Sequence, residues 1–85
     1  MRDGNLMRGV RQPAKSLTAQ FVRTVEVPGK YFDGHGLFLR VTDGGGKQWV
    51  QRITIRGKRR ELGLGSPTLV SLAEAREQAL ENRKL

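Results

Sequence analysis

The 85-residue chain contains no cysteine, so neither a disulfide nor a thiolate-bound metal can brace a domain this small. Long apolar runs are missing too. No stretch approaches the roughly 20 residues that span a bilayer as a helix, and residues 1–16 lack the apolar core of a secretory signal. Histidine occurs once, at His35, one residue from Asp33. A metal site needs three or four converging ligands and no third is in view, so no metal is expected and His35, between two glycines, reads as a turn residue. No cofactor is expected either. Gly44, Gly45, Gly46 and Lys47 resemble a phosphate loop, but Gln48 follows where Ser or Thr should stand, and a strand follows where a helix should. The single tyrosine, Tyr31, has no base and orienting partner in any recognisable spacing, so the chain is not expected to be an enzyme by itself. The length allows one small domain, with the cytoplasm as its default location.

Acidic residues are scarce: eight, against sixteen Lys and Arg, for a net charge of +8. The excess is segregated. Residues 1–16 carry Arg2, Arg8, Arg11 and Lys15 against Asp3, residues 17–70 carry nine basic against four acidic residues, and residues 71–85 are neutral. A basic surface of this kind attracts phosphate backbones through counterion release. The densest part, residues 52–60, has five basic residues in nine and no acid.

The chain divides readily into elements. Residues 1–16 are Gly-, Arg- and polar-rich and read as a flexible basic arm. Leu17, Phe21 and Val22 have helical spacing, Thr18 is a candidate cap, and Pro28-Gly29 ends the segment, predicting one or two helical turns. Residues 31–36 have the composition of a turn. Three strands are predicted, over residues 37–41, 47–56 and 59–64, joined by the glycine-rich loop at 43–46 and a turn at Gly57-Lys58. Ser71 and Glu74 have the spacing of a capping box, and strong helix formers continue to about Lys84. Leu72, Ala75, Ala79, Leu80 and the stem of Arg83 form the expected buried stripe. The fold class is therefore α+β: a three-stranded antiparallel sheet packed against a C-terminal helix, with a short N-terminal helical segment and a basic arm. The chain ends in a charged helix without a capping glycine, which suggests a fragment of a longer protein.

Strand parity divides the sheet into two faces. Leu37, Leu39, Val41, Trp49, Ile53, Ile55, Leu62 and Leu64 suit the face beneath the helix. Phe38, Arg40, Val50, Arg52, Thr54, Arg56, Arg59 and Glu61 fall on the other, which a single helix leaves open. Phe38 is the plausible exposed aromatic of that face. Gln51 sits on the core parity, which predicts a bulge or an edge position there. Arginine can bond guanine edges or clamp phosphates, and Thr or Val can touch a thymine methyl. Arg40, Arg52, Thr54, Arg56 and Arg59 are the candidates for a groove-facing surface. Lys47, Lys58 and Arg60 are candidates for phosphate contact from loops and edges, and Arg8, Arg11 and Lys15 for a neighbouring groove.

The ordered set Pro28-Gly29-Lys30-Tyr31, Asp33-Gly34, Gly36-Leu37, Leu39-Arg40-Val41, Lys47, Trp49-Val50, Arg52, Gly57-Lys58-Arg59-Arg60, Leu62-Gly63-Leu64-Gly65 and residues 70–76 resembles the N-terminal arm-type DNA-binding domain of tyrosine-recombinase integrases from prophages and genomic islands. The resemblance covers residues 17–84 and rests on the whole series rather than on one motif. It implies a three-stranded sheet backed by a helix, set in the major groove at arm-type repeats beside the attachment site. It also implies that catalysis resides in a separate downstream domain, since Tyr31 does not match the nucleophile, and that the partners are double-stranded DNA and other integrase domains or subunits. The isolated domain is expected to be monomeric. One difference is Ser66 directly before Pro67, where many members carry an aromatic residue. Two other functions remain open on the sequence: an RNA-binding module, and a protein-interaction module for integrase assembly.

Overall fold

The computed structural model describes residues 16–84, so the arm expected over residues 1–16 lies, apart from Ser16, outside the described residues. The element order is α1 (Ala19–Thr24), β1 (Gly29–Gly34), β2 (Leu37–Val41), β3 (Lys47–Ile55), β4 (Lys58–Gly65) and α2 (Leu72–Asn82). The strands form one antiparallel meander in the order β1-β2-β3-β4. The α+β class and the C-terminal helix match the expectation, but the sheet has four strands rather than three.

The additional strand is β1, within residues expected to form a turn. Turn-forming residues disguise it: Gly29 opens it and Asp33-Gly34 closes it. Only His35 and Gly36 actually turn, at φ 55° and 78°, in the two-residue geometry that matches the right-handed twist of paired strands. Asp33 is an extra residue in the ladder. Phe32 pairs with Phe38 and Gly34 with Leu37, so Asp33 forms a bulge that re-aims its side chain. Gly36 is required on steric grounds as well, because a Cβ there would stand 2.1 Å from the Arg52 carbonyl oxygen.

The second tight turn also differs from expectation. Ile55 pairs with Lys58, so the turn is Arg56-Gly57, with φ 52° and 79°, and not Gly57-Lys58. Arg56 thus sits at the hairpin tip instead of on the open face.

Both helices begin as the sequence indicates. Thr18 Oγ1 accepts the Phe21 N–H at 3.1 Å. Ser71 Oγ accepts the Glu74 N–H at 3.1 Å while Glu74 Oε1 accepts the Ser71 N–H at 2.9 Å, a complete capping box. Leu72, Ala75 and Ala79 are buried, but Leu80, expected on the same stripe, is exposed. At about 100° per residue, Ala79 returns to the line of Leu72 and Ala75 and Leu80 turns off to the flank.

The main core lies between α1, α2 and one sheet face, where Leu17, Val22, Val25, Tyr31, Leu37, Leu39, Val41 and Trp49 meet the helix stripe. Trp49 is fully buried, and its indole N–H donates to the Val70 carbonyl at 2.8 Å. That bond secures the loop after β4, whose Ser66 carbonyl also accepts the Leu69 and Val70 N–H groups.

Gln51 is neither at a bulge nor on an edge strand. It pairs with Leu37 on one side and Leu62 on the other, and it is 0% exposed. Its amide N–H groups donate to the His35 and Ala79 carbonyls at 3.1 and 2.9 Å, and its Oε1 accepts from Asn82 at 2.9 Å. A buried amide with its hydrogen bonds made avoids the cost of an unpaired polar group, and here it joins the sheet to the end of α2.

Candidate nucleic-acid interface

The face of the sheet away from α2 is built in cross-strand rows. Lys30, Arg40 and Gln48 form one row, and Phe32, Phe38, Val50 and Gly63 the next. Arg52 and Glu61 follow, then Thr54 and Arg59. Side chains two apart on a strand share a face, so the tertiary register brings Arg40, Arg52, Thr54 and Arg59 to one surface. Lys30 and Phe32 join them from β1.

This face is not a bare arginine plane. Phe38, expected to be exposed, is 0% exposed, and Val50 is also buried. Cations cover Phe38: the Lys30 ammonium lies 5.5 Å from its ring centroid, and the Arg40 and Arg52 guanidiniums each lie 5.7 Å from it. The aromatic that reaches solvent is Phe32, 41% exposed, 4.8 Å from Phe38 and with Arg52 5.9 Å from its centroid. β1 changes the picture because it adds a neighbour on the far side of β2. Arginine stems then close over the ring in the usual amphipathic way, apolar stem inward and charge outward.

Glu61 stands among these cations. Its Oε2 accepts from Arg52 Nε and Nη2 at 3.3 and 3.1 Å, and its Oε1 accepts from Arg40 Nη2 at 3.3 Å. The Arg52 hydrogen bonds, opposed by burial and aided by the charges of Arg52, Lys30 and Arg40, hold the Glu61 carboxyl below the ordinary carboxylate range.

Beyond this face the hairpin projects. Leu37, the first residue of β2, pairs with Gln51, so Ile53, Thr54 and Ile55 pair with β4 alone. The two-stranded ribbon runs roughly 10–13 Å past its neighbour at about 3.3 Å per residue. It carries Arg56 at the tip, with Lys58, Arg59 and Arg60 on the returning strand. Among the described residues none of these four has an acidic partner.

Lys47 stands apart from the other candidates. Its ammonium donates to the Val22 and Arg23 carbonyls at 2.8 and 3.0 Å. These are groups at the end of α1, where a cation is favoured by the unpaired carbonyls.

Asp33 and His35 are potential metal ligands by residue type. No cluster of three or more His, Cys, Asp or Glu suited to a metal occurs among the described residues. Asp33 is instead a clasp. It accepts the Leu17 N–H at 2.8 Å and Arg76 Nη2 at 2.9 Å on Oδ1, and Arg76 Nε at 2.9 Å on Oδ2. Arg76 Nη2 also donates to the Leu17 carbonyl at 2.8 Å. Burial pushes the Asp33 carboxyl up; the Arg76 and Leu17 hydrogen bonds and the charges of Arg76 and His35 outweigh it, so the group titrates below its usual value.

Residues 17–85 match the family model of the arm DNA-binding domain. The chain belongs to that family. It is also 42% identical over 59 residues to the integrase of Shigella phage Sf6 and, by the same measure, to prophage integrase IntS of Escherichia coli (strain K12). In each case the match covers 69% of this chain and 15% of the relative. The chain therefore spans a small part of the length of the curated integrases it matches. No helix among the described residues is long and apolar enough to cross a membrane.

Sequence parity identified Arg40, Arg52, Thr54 and Arg59 together but missed Lys30 and Phe32. The signal was available: Lys30, Phe32 and Gly34 alternate with Tyr31 and Asp33, but the flanking glycines suggested a turn.

Proposed function

We propose that this domain binds double-stranded DNA sequence-specifically, at arm-type sites, and so positions a phage-type integrase for site-specific recombination and DNA integration. The observation that carries the reading is the placement of Arg40, Arg52, Thr54 and Arg59 on one sheet face, continuous with a projecting cationic ribbon. B-DNA's major groove is about 12 Å wide and admits a two-stranded ribbon. In that pose Arg40 and Arg52 face base edges, where a guanidinium can pair with guanine O6 and N7. Thr54 and the exposed edge of Phe32 offer apolar contact to a thymine methyl. Arg56, Lys58, Arg59 and Arg60 flank the groove and neutralise phosphates, while Lys47 serves α1. The chemistry of strand exchange belongs to another domain of the parent recombinase, for which the relatives' names argue. Assembly with other integrase domains or subunits follows from the same reading, and the isolated domain works as a monomer.

The RNA reading is less well supported, because sheet-based RNA readers stack two or three bases on exposed aromatics, and among the described residues this face exposes one aromatic, Phe32, while Phe38 lies beneath cations. The test is titration of the domain with a duplex selected from a randomised library, across a salt series. Arg52→Ala weakens the selected duplex by about 1–3 kcal/mol, the worth of one good base contact, and weakens a scrambled duplex less. Equal affinity of wild type and Arg52→Ala for both duplexes refutes the sheet-face assignment. An affinity that ignores salt refutes the electrostatic mechanism.

A further inference from the structure

We infer that Glu61 determines specificity on the sheet face by restraining Arg40 and Arg52, at the expense of raw affinity. The inference rests on the reading that this face meets duplex DNA. Among the described residues Glu61 is the acidic side chain of that face, opposite Arg52 in the ladder. A carboxylate in the middle of a polyanion-binding surface repels phosphate, so affinity alone gives no reason for it. Its geometry does. One oxygen takes two N–H groups of Arg52 and the other takes Arg40, which reaches it diagonally across β3. Both guanidiniums are thereby tied above Phe38 at the same 5.7 Å.

An unrestrained arginine on a surface neutralises any phosphate within reach, whatever the sequence. A guanidinium held by its own carboxylate loses less conformational freedom on binding. It still has donors to offer, and their directions are set, which a base edge rewards and a phosphate does not require. Glu61 therefore subtracts charge from the non-specific complex and orientation cost from the specific one. Arg40 and Arg52 keep their positive charge for the partner but cannot swing outward independently. Glu61 is thus a positioning residue, and its effect is read in the ratio of two affinities.

Glu61→Gln keeps the size and one acceptor oxygen and removes the charge. The experiment measures dissociation constants of wild type and Glu61→Gln for a duplex selected by the wild-type chain, and for a scrambled duplex of equal length and composition, across a salt series. Thermal melting of both proteins is recorded alongside. The expected result is tighter binding of the scrambled duplex, a salt dependence steeper by up to about one phosphate equivalent, and a specific-to-nonspecific ratio lowered about tenfold. Glu61→Asp, which keeps the charge but shortens the reach, falls between the two. A ratio within about twofold of wild type overturns the inference, as does a proportional loss of both affinities that tracks a lower melting temperature. Arg52→Ala on the same duplexes keeps the two readings separate. If it changes neither affinity, the sheet-face reading itself fails; if it weakens the selected duplex while Glu61→Gln leaves the ratio alone, the fault lies with the inference about Glu61.

Discussion

Replacing Asp33 by asparagine should loosen the domain at neutral pH and remove part of its sensitivity to acid. The aspartate accepts three hydrogen bonds between 2.8 and 2.9 Å, one from Leu17 and two from Arg76. Asparagine keeps an acceptor for one side of this arrangement, loses the second acceptor and loses the charge. Hydrogen bonds to charged groups contribute about 1.5–3 kcal/mol each. The Asp33 side chain is 7% exposed but that of Arg76 is 43% exposed, so water recovers part of the loss, and a cost of about 2 kcal/mol is expected. For a domain this small, that lowers the melting temperature by about 8–16 °C. The pH dependence follows from the direction of the shift. The folded state lowers the Asp33 pKa, so its ionised form is favoured on folding. That contribution is complete above the unfolded-state value of about 3.9 and is lost as the pH falls through the folded value. Glu61 is also lowered and adds its own acid sensitivity, so the informative quantity is the stability difference between wild type and Asp33→Asn, measured by denaturant unfolding from pH 7 downward. It should be largest at neutral pH and shrink below pH about 4. A difference that stays constant down to pH about 2.5, or a variant as stable as wild type at pH 7, refutes the reasoning.

Two further substitutions test the account of the frame. Gln51→Leu fills the same space without satisfying the Ala79 and His35 carbonyls or Asn82, and should cost about 1–3 kcal/mol in denaturant unfolding; a neutral or stabilising result means those groups find other partners. Lys47→Met removes the ammonium from the end of α1 and should cost about 1 kcal/mol of stability, with the salt dependence of DNA binding unchanged; a slope reduced by about one instead assigns Lys47 to a phosphate.

Much of the arrangement was legible in the residues themselves. The capping box, the Thr18 cap, the long β3 strand and the core parity of Trp49 are local patterns, and local patterns survive because each depends on a few neighbouring groups. β1 was hidden for the opposite reason. Its flanking glycines and Asp33 signal turns one residue at a time, and only pairing with β2 gives that backbone its hydrogen-bond partners. Gln51 was similarly opaque, because an amide on a core face is unfavourable until its partners appear, and those come from a turn and from the far end of α2.

By itself the sequence pointed to the class of partner and to most of the face proposed to meet it. Net charge, its segregation and the period of two along β2, β3 and β4 are properties of the chain, and they give Arg40, Arg52, Thr54 and Arg59 the parity of one sheet face, which the strand register then brings together. The tertiary structure alone decided what those arginines do when no DNA is present. It set β1 beside β2, covered Phe38 with three cations and brought Glu61 within reach of Arg40 across an intervening strand. It also withdrew Lys47 to a helix end and moved Arg56 to a hairpin tip. Parity assigns a side chain to a face; whether its charge is free, paired or used as a cap depends on which other elements pack within about 4 Å, and that is set by the fold.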